Sequence, residues 1–414
     1  MESIDVYLNG VKAGRLNDDN GSMSFFYSEA FLAAGGREPL SHSLPLKSEP
    51  FSHAEMEPFL SNLLPDDIIR TRLAEILKIP RENTFALLRA IGGDCAGAIS
   101  FFPSGTAPDV PTVPKFRRLA DEEAGLILGN LERRPLDVGE AGFRISGAGA
   151  QDKLIACFSD GSVLLPLDGT PSTHIIKPAM RDYPDSVENE WFSMTLASMC
   201  GLKVAECEIA VIGGKRRYLC RRYDRENVGG AVRRLHQEDF CQVLGIDSRR
   251  KYESTGGPGI VDSFRLLREM SLPASDTVEF LDRIIFNFLV GNGDAHGKNF
   301  SVLYSNGVPS LAPMYDVMST AIYPEVGDRM AMKIDDEYRF KWITLGKFRR
   351  MAEKCGVGAR LLEREIARMV RRITSATPKL VRSATAMHPS NCYTQIAEGI
   401  LRRSGGLKKS YLGG

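Results

Sequence analysis

The sequence predicts an α+β fold in two lobes: a β-rich part, preceded by a small extra N-terminal subdomain, and a mostly helical last part. Three observations predict it. Short apolar runs separated by turn signals such as Asn-Gly and Asp-Gly occupy residues 1–27 and again 154–222. Apolar positions at helical spacing dominate from Gln237 onward. The 414-residue length leaves room for two or three domains or lobes. With 43% apolar and 25% charged residues the composition is that of a globular protein, which excludes disorder, collagen and a disulfide-stapled miniature.

In chain order, residues 4–8, 11–16 and 23–27 read as a β-meander, because Asn9-Gly10 and residues 17–21 supply hairpin turns. Over residues 54–91 the apolar positions Ile68, Ile69, Leu73, Ile76 and Leu77 fall at helical spacing. With Pro65-Asp66-Asp67 as a start and Pro80 as a break, two or three short helices follow the meander. Residues 103–114 hold four prolines and form a connector, and residues 120–133 a further helix. Then come strands over 154–158, 162–167 and 173–177, a helix over about 187–199, and a hairpin over 208–222 turning at Gly213-Gly214. Helices are predicted over 264–270 and 274–290. The predicted domains are 1–115 (meander plus helices), 116–236 (β-rich lobe) and 237–414 (helical lobe).

Lys and Arg total 53 against 52 Asp and Glu, so no overall field draws the chain to nucleic acid. The balance hides an asymmetry: residues 341–414 carry 16 basic against 4 acidic residues, the rest 37 against 48. Eight cysteines without a Cys-x-x-Cys pair suit a reducing compartment and give no metal site. The N-terminus lacks an apolar core of the signal-peptide kind, and the most apolar run, 284–290, is interrupted by Asn287. No membrane association and a cytoplasmic location are expected.

Three segments could carry chemistry. Ile145-Ser146-Gly147-Ala148-Gly149-Ala150-Gln151-Asp152-Lys153 is a small-residue turn whose backbone N–H groups could approach a phosphate, although such a turn can be merely a turn. Lys177 ends an apolar strand, and the helix that follows offers Glu188 or Glu190 as its partner; the spacing leaves both open. In residues 291–301, Asp294 and Asn299 have the separation of the catalytic Asp and metal-binding Asn of protein kinases. Asp316 follows where a second metal carboxylate sits in those enzymes, and carboxylate and carboxamide oxygens suit Mg²⁺. His296 has no Cys or His partner at zinc-ligand spacing.

With these elements in place, the sequence resembles the HipA family, the serine/threonine-kinase toxins of bacterial type II toxin–antitoxin modules. The resemblance rests on residues 145–153, Thr173-His-Ile-Ile-Lys177, Gln237-Glu-Asp-Phe240, Lys251-Tyr-Glu-Ser-Thr-Gly-Gly-Pro-Gly-Ile260, residues 291–301 and Tyr315-Asp316. Residues 43–46 and 62–66 also look like the family's N-terminal part. Gly147, where a larger residue is common, and Asp152, where Glu is usual, depart from the pattern.

The resemblance implies a protein-kinase-like, HipA-like fold with ATP and Mg²⁺ as cosubstrate and cofactor. It implies Asp294 as base, Asn299 and Asp316 as metal ligands, and Lys177 as the phosphate lysine. Ala148, Gly149, Ala150, Gln151, Asp152 and Lys153 become the phosphate loop; Glu238, Asp239 and Phe240 the hinge that holds adenine; His296 and Lys298 contacts in the catalytic loop; and Ser146 the autophosphorylation site. Implied partners are a helix-turn-helix, HipB-like antitoxin, operator DNA through that antitoxin, and a translation-related protein substrate, of which an aminoacyl-tRNA synthetase is a known family example. A catalytically weak nucleotide-binding corepressor and a small-molecule phosphotransferase are the competing functions. The basic C-terminal stretch, with Arg364, Arg368, Arg371 and Arg372, is either a direct nucleic-acid contact or an ordinary solvated helix surface.

Overall fold

A computed structural model describes residues 2–35, 38–106, 108, 114–137, 145–229, 231–305 and 307–412. The chain divides into two compact units, one of residues 1–178, 210–249 and 302–308, the other of residues 179–209, 250–301 and 309–414. Part of the proline-rich connector, residues 107 and 109–113, lies outside the described residues.

The first unit opens with the expected meander, Glu2–Leu8, Val11–Asp19 and Ser22–Tyr27. Asn9 and Gly10, at φ 52° and 75°, make the two-residue turn between Leu8 and Val11, the left-handed pair that matches strand twist. Ile4, Val6, Leu16 and Phe25 from its strands are buried together. A fourth strand, Ile99–Pro103, pairs antiparallel with Glu2–Leu8; sequence periodicity missed it because its partner lies more than ninety residues earlier. Between meander and fourth strand run the helices His53–Ser61, Asp67–Leu77 and Thr84–Ile91, the last capped by Asn83, whose side chain accepts from Ala86 N at 2.9 Å.

A six-stranded sheet follows, in the order Lys115–Arg118, Ser162–Leu167, Leu154–Ser159, His174–Lys177, Lys215–Arg221, Cys207–Ile212. The segment from Gln237 is less helical than expected: His236–Asp239 is a strand, and strands also form at Ser301–Ser305, Val308–Leu311, Arg329–Ile334 and Glu337–Arg339. These runs of three to six residues are too short for a period-2 pattern to stand out.

In the second unit the helices Ser186–Met199, Ile260–Glu269, Ala274–Val290, Leu345–Lys354, Ala359–Met387 and Cys392–Leu412 form the bulk. Leu362, Ile366, Met369, Ile373 and Leu380 bury one face of the long helix. Edge-on rings of Phe264, Phe280 and Phe300, with centroids 5.1–5.2 Å apart, tie the Ala274–Val290 helix to its neighbours. Most of the basic residues singled out on the long helix are engaged: Arg364 bonds Glu365 at 2.8 Å, Arg368 pairs with Glu365 and with Asp282, and Arg372 donates to Cys200 O at 2.9 Å. All eight cysteines are free thiols, seven of them buried. Among the described residues, no helix is long and apolar enough to cross a membrane.

Candidate active site

In the second unit the Ala274–Val290 helix ends at Gly291, whose φ of 80° is the left-handed cap that lets the chain turn sharply. Its N–H still reaches Asn287 O at 3.1 Å. Gly293 is required by crowding, since a Cβ there would lie 2.4 Å from Arg329 O. Its N–H donates to Thr320 Oγ1 at 2.7 Å, which pins the loop to a following turn. Asn292 accepts from Asp294 N at 3.0 Å and donates to Asn287 Oδ1 at 3.0 Å. The backbone of Asp294 is thereby fixed to the end of a buried helix while its side chain stays exposed. Asn292 and Gly293 lie inside the Gly-Asn-Gly-Asp run, and spacing alone gave no sign of these supporting roles.

Beyond Asp294 the chain makes one 3₁₀ turn, Gly297–Asn299, and His296, Lys298 and Asn299 are all buried. Asn299 accepts from His296 N at 3.2 Å and donates from Nδ2 to Asp316 Oδ2 at 3.1 Å. Two side chains seventeen positions apart are thereby joined, the Asn299 amide nitrogen to the Asp316 carboxylate. Asp316 holds φ 57°, a strained backbone for a residue with a side chain, of the kind that clusters at functional sites. Tyr315 supports the same turn by donating to Lys298 O at 2.6 Å. Tyr252, from the Lys-Tyr-Glu-Ser segment, donates to Asp294 Oδ1 at 2.7 Å. Glu188 and Glu190 also belong to this unit, buried in the Ser186–Met199 helix.

In the first unit, Ser146 is 1% exposed: its N–H donates to Asp94 O at 3.1 Å and its hydroxyl to Leu63 O. Asp66 N donates to Gly149 O at 3.2 Å, so the 145–153 loop runs along residues from the subdomain that precedes the β-rich lobe. Lys153 folds under the loop and donates to Ala148 O; a Cβ on Gly149, at φ 104°, would lie 2.7 Å from the lysine nitrogen. The glycine thus leaves a small cradle with a buried ammonium as its floor. A Cβ at Gly147 would meet Ile155 Cδ1 at 2.6 Å and Leu136 Cδ2 at 2.9 Å, side-chain ends that would have to shift to admit the larger residue common in the family. Burial raises the Asp152 carboxyl against the pull of Arg72, 3.7 Å away. Lys177 is 7% exposed with its nitrogen 5.5 Å from the Tyr218 ring centroid.

The Glu238–Phe240 segment closes the strand His236–Asp239 and opens a short helix that Asp239 caps, accepting from Gln242 N at 2.9 Å. The Glu238 side chain is fully used inside the unit, taking Ser41 Oγ, His42 N at 3.1 Å and Tyr304 OH at 2.7 Å. Burial pushes its carboxyl up to about 7 against those donors. Phe240 is fully buried, which leaves the backbone of this segment as its contribution to any ligand.

Two family descriptions match the chain: the HipA N-terminal domain over residues 4–102 and the HipA-like C-terminal domain over residues 145–379. A Sinorhizobium fredii protein named only as a kinase, Y4mE, is 40% identical over 391 residues, 93% of each chain. The serine/threonine-protein kinase toxin HipA of Shewanella oneidensis is 32% identical over 395 residues, 92% of this chain and 89% of that one. Among solved structures, a chain of the Shewanella oneidensis complex of HipA, HipB and operator DNA superposes with a TM-score of 0.82 at 30% identity, covering 98% of this chain and 97% of that chain.

Proposed function

The chain belongs to the HipA family of serine/threonine kinase toxins, and from that premise we propose that it transfers the γ-phosphoryl group of ATP, with Mg²⁺, to a serine or threonine of a translation-related protein. The observation that carries this reading is the convergence of Asn299 and Asp316, 3.1 Å apart, beside the exposed Asp294. The donor set fits Mg²⁺: Asp316 offers a carboxylate and Asn299 a carboxamide oxygen, both hard ligands, and Mg²⁺ needs only one or two protein oxygens besides phosphates and water. When bound, Mg²⁺ would neutralise charge on the phosphates as transfer proceeds.

The chain's own residues do the rest. Asp294 orients the acceptor hydroxyl and takes its proton, while Asn299 and Asp316 hold the metal. His296 and Lys298 act as contacts in the catalytic loop. Lys177 meets the phosphates as a point charge, residues 148–153 cradle them, and the Glu238, Asp239 and Phe240 backbone receives adenine. Asp316→Asn is expected to weaken Mg²⁺-dependent ATP binding by at least the roughly 10–100-fold that loss of even an outer-shell partner costs a metal site. ATP titrations with and without Mg²⁺ check this, and an unaltered metal dependence would remove Asp316 from the metal's shell.

We also propose autophosphorylation at Ser146 as self-inactivation. A phosphate there adds about −1.5 to −2 charges to a buried hydroxyl that now donates to Leu63 O, so the loop must leave Leu63 and Asp94 to accommodate it. Phosphorylated protein is expected to lose ATP affinity and to gain amide exchange over residues 145–153; full ATP affinity in that form would refute the switch. Partners under this proposal are a HipB-like antitoxin and operator DNA reached through it for autorepression, because the Shewanella oneidensis HipA structure is a complex with HipB and operator DNA. The substrate under this proposal is a translation-related protein, of the aminoacyl-tRNA synthetase kind that the family resemblance implies. Quantitative phosphoproteomics after induction of the wild type against an Asp294→Ala control tests the whole reading. A phosphoprotein specific to the wild type is expected, and its absence would leave the corepressor or the small-molecule phosphotransferase instead.

A further inference from the structure

Asp294 sits on an exposed loop, where a carboxylate ordinarily samples several rotamers, yet a general base must meet the proton it takes within about 2.6–3.2 Å. Something has to hold it. The backbone is held by Asn292; the side chain is met by the Tyr252 hydroxyl, which donates to Oδ1 at 2.7 Å.

Tyr252 is itself rigidly supported. Its ring stands edge-on to His296 at 85°, with centroids 5.0 Å apart, and the Lys251 ammonium lies 5.6 Å from the Tyr252 ring centroid. Lys251 O accepts from Gly297 N at 3.1 Å, which bolts this segment directly to the catalytic loop. The carbonyl of Tyr252 accepts from Thr255 N at 3.0 Å and from Gly257 N at 2.8 Å, closing a 3₁₀ turn. Glu253 in that turn takes Lys333 N at 2.7 Å and Lys333 Nζ at 3.2 Å. At Gly257 a Cβ would fall 2.1 Å from Arg250 O, so the turn closes only with glycine there.

We infer that Tyr252 is a positioning residue for the phosphoryl-transfer step, fixing one oxygen of the Asp294 carboxylate so that the other meets the acceptor hydroxyl. The inference rests on the reading of Asp294 as the base. Oδ1 bonded to the tyrosine hydroxyl opposes the rotation that would otherwise carry the carboxylate off the acceptor, and small misplacements of a reacting group are costly in rate. Tyr252 acts through Asp294 and touches neither phosphate nor acceptor in this role. Its place in a turn held at both ends distinguishes it from a lid, which would have to swing away.

The test is a double-mutant cycle on the full chain, read as kcat, KM for ATP and melting temperature. Tyr252→Phe keeps the ring against His296 and removes only the hydroxyl. It is expected to lower kcat on the order of 10-fold with KM for ATP and the melting temperature unchanged, because one hydrogen bond to a charged group is lost without loss of packing. In an Asp294→Asn background the same change is expected to have no further effect on rate, which a merely structural tyrosine would not show. An unchanged kcat in Tyr252→Phe, or an equal fall in both backgrounds, overturns the positioning role while leaving Asp294 as base. A faster Tyr252→Phe enzyme, or phosphate found on Tyr252, makes the hydroxyl an occupant of the acceptor's place and also overturns it. Wild-type rate in Asp294→Asn alone rejects the base assignment, and the inference with it.

Discussion

Asp294→Asn is expected to lower the phosphorylation rate on the order of 10²–10⁴-fold and to abolish toxicity, with ATP binding largely retained. The size follows from what is removed. Asparagine matches aspartate in shape, its backbone N–H keeps the bond to Asn292 Oδ1, and its carboxamide oxygen can still accept from Tyr252. The loop between Gly291 and Asn299 therefore keeps its course, and the exposed side chain has no buried contacts whose loss would unfold the unit. What disappears is the capacity to take a proton. Asn299 and Asp316 still face each other, so nucleotide and metal binding should persist. Single-turnover phosphate transfer with parallel ATP titration separates the two effects, and retained toxicity in this variant would take Asp294 out of the chemistry.

The proposed centre is readable along the chain because the groups assigned to it lie close together: Asp294 and Asn299 share one loop, and Asp316 follows after a single strand pair. Such order survives in one dimension. The surroundings of the phosphate loop do not, because they depend on chain separation: Ser146 donates to Leu63 O, 83 residues earlier, and pairs through its backbone with Asp94. No periodicity in residues 145–153 announces either partner. The strand His236–Asp239 was hidden for a different reason. Its His-Gln-Glu-Asp composition reads as solvated, yet Glu238 is buried because Ser41, His42 and Tyr304 satisfy its carboxylate. Tyr252 lies in the motif of residues 251–260, which by itself gives the tyrosine no role, since only the fold brings its hydroxyl to Asp294, 42 residues away in the chain.

Asp94→Ala is expected to destabilise the protein by about 3–5 kcal/mol, the range found when one partner of a buried ion pair is removed. Asp94, 4% exposed, receives Arg225 at 2.8 Å and Arg234 at 3.1 Å, lies 3.7 Å from Arg222, and accepts from Ser172 Oγ at 2.6 Å and Ser172 N at 3.1 Å. Asp224 is the other carboxylate in the cluster, bonded by Arg222 at 2.7 Å and by Gly97 N at 2.7 Å. Removing Asp94 leaves three guanidinium groups facing one carboxylate in a buried site, and two of them, Arg222 and Arg225, cannot reach water without opening the fold. Burial opposes ionisation of Asp94, but Arg225, Arg234 and Arg222 outweigh it and hold the carboxyl far below the usual range. A depressed carboxyl contributes stability above its unfolded value near 4 and loses it as pH falls through the folded value, so the gap between wild type and variant should stay constant from about pH 5 to 8. Thermal melts at several pH values check both statements, with a lowering on the order of 10 °C expected. A second consequence reaches the loop proposed to cradle phosphates, because Asp94 O accepts from Ser146 N and Asp94 bridges to Ile145. Amide exchange over residues 145–153 should rise in the variant even well below its melting temperature. A loss of less than about 1 kcal/mol with unchanged exchange would mean that the three arginines find other partners and that the loop does not depend on this carboxylate.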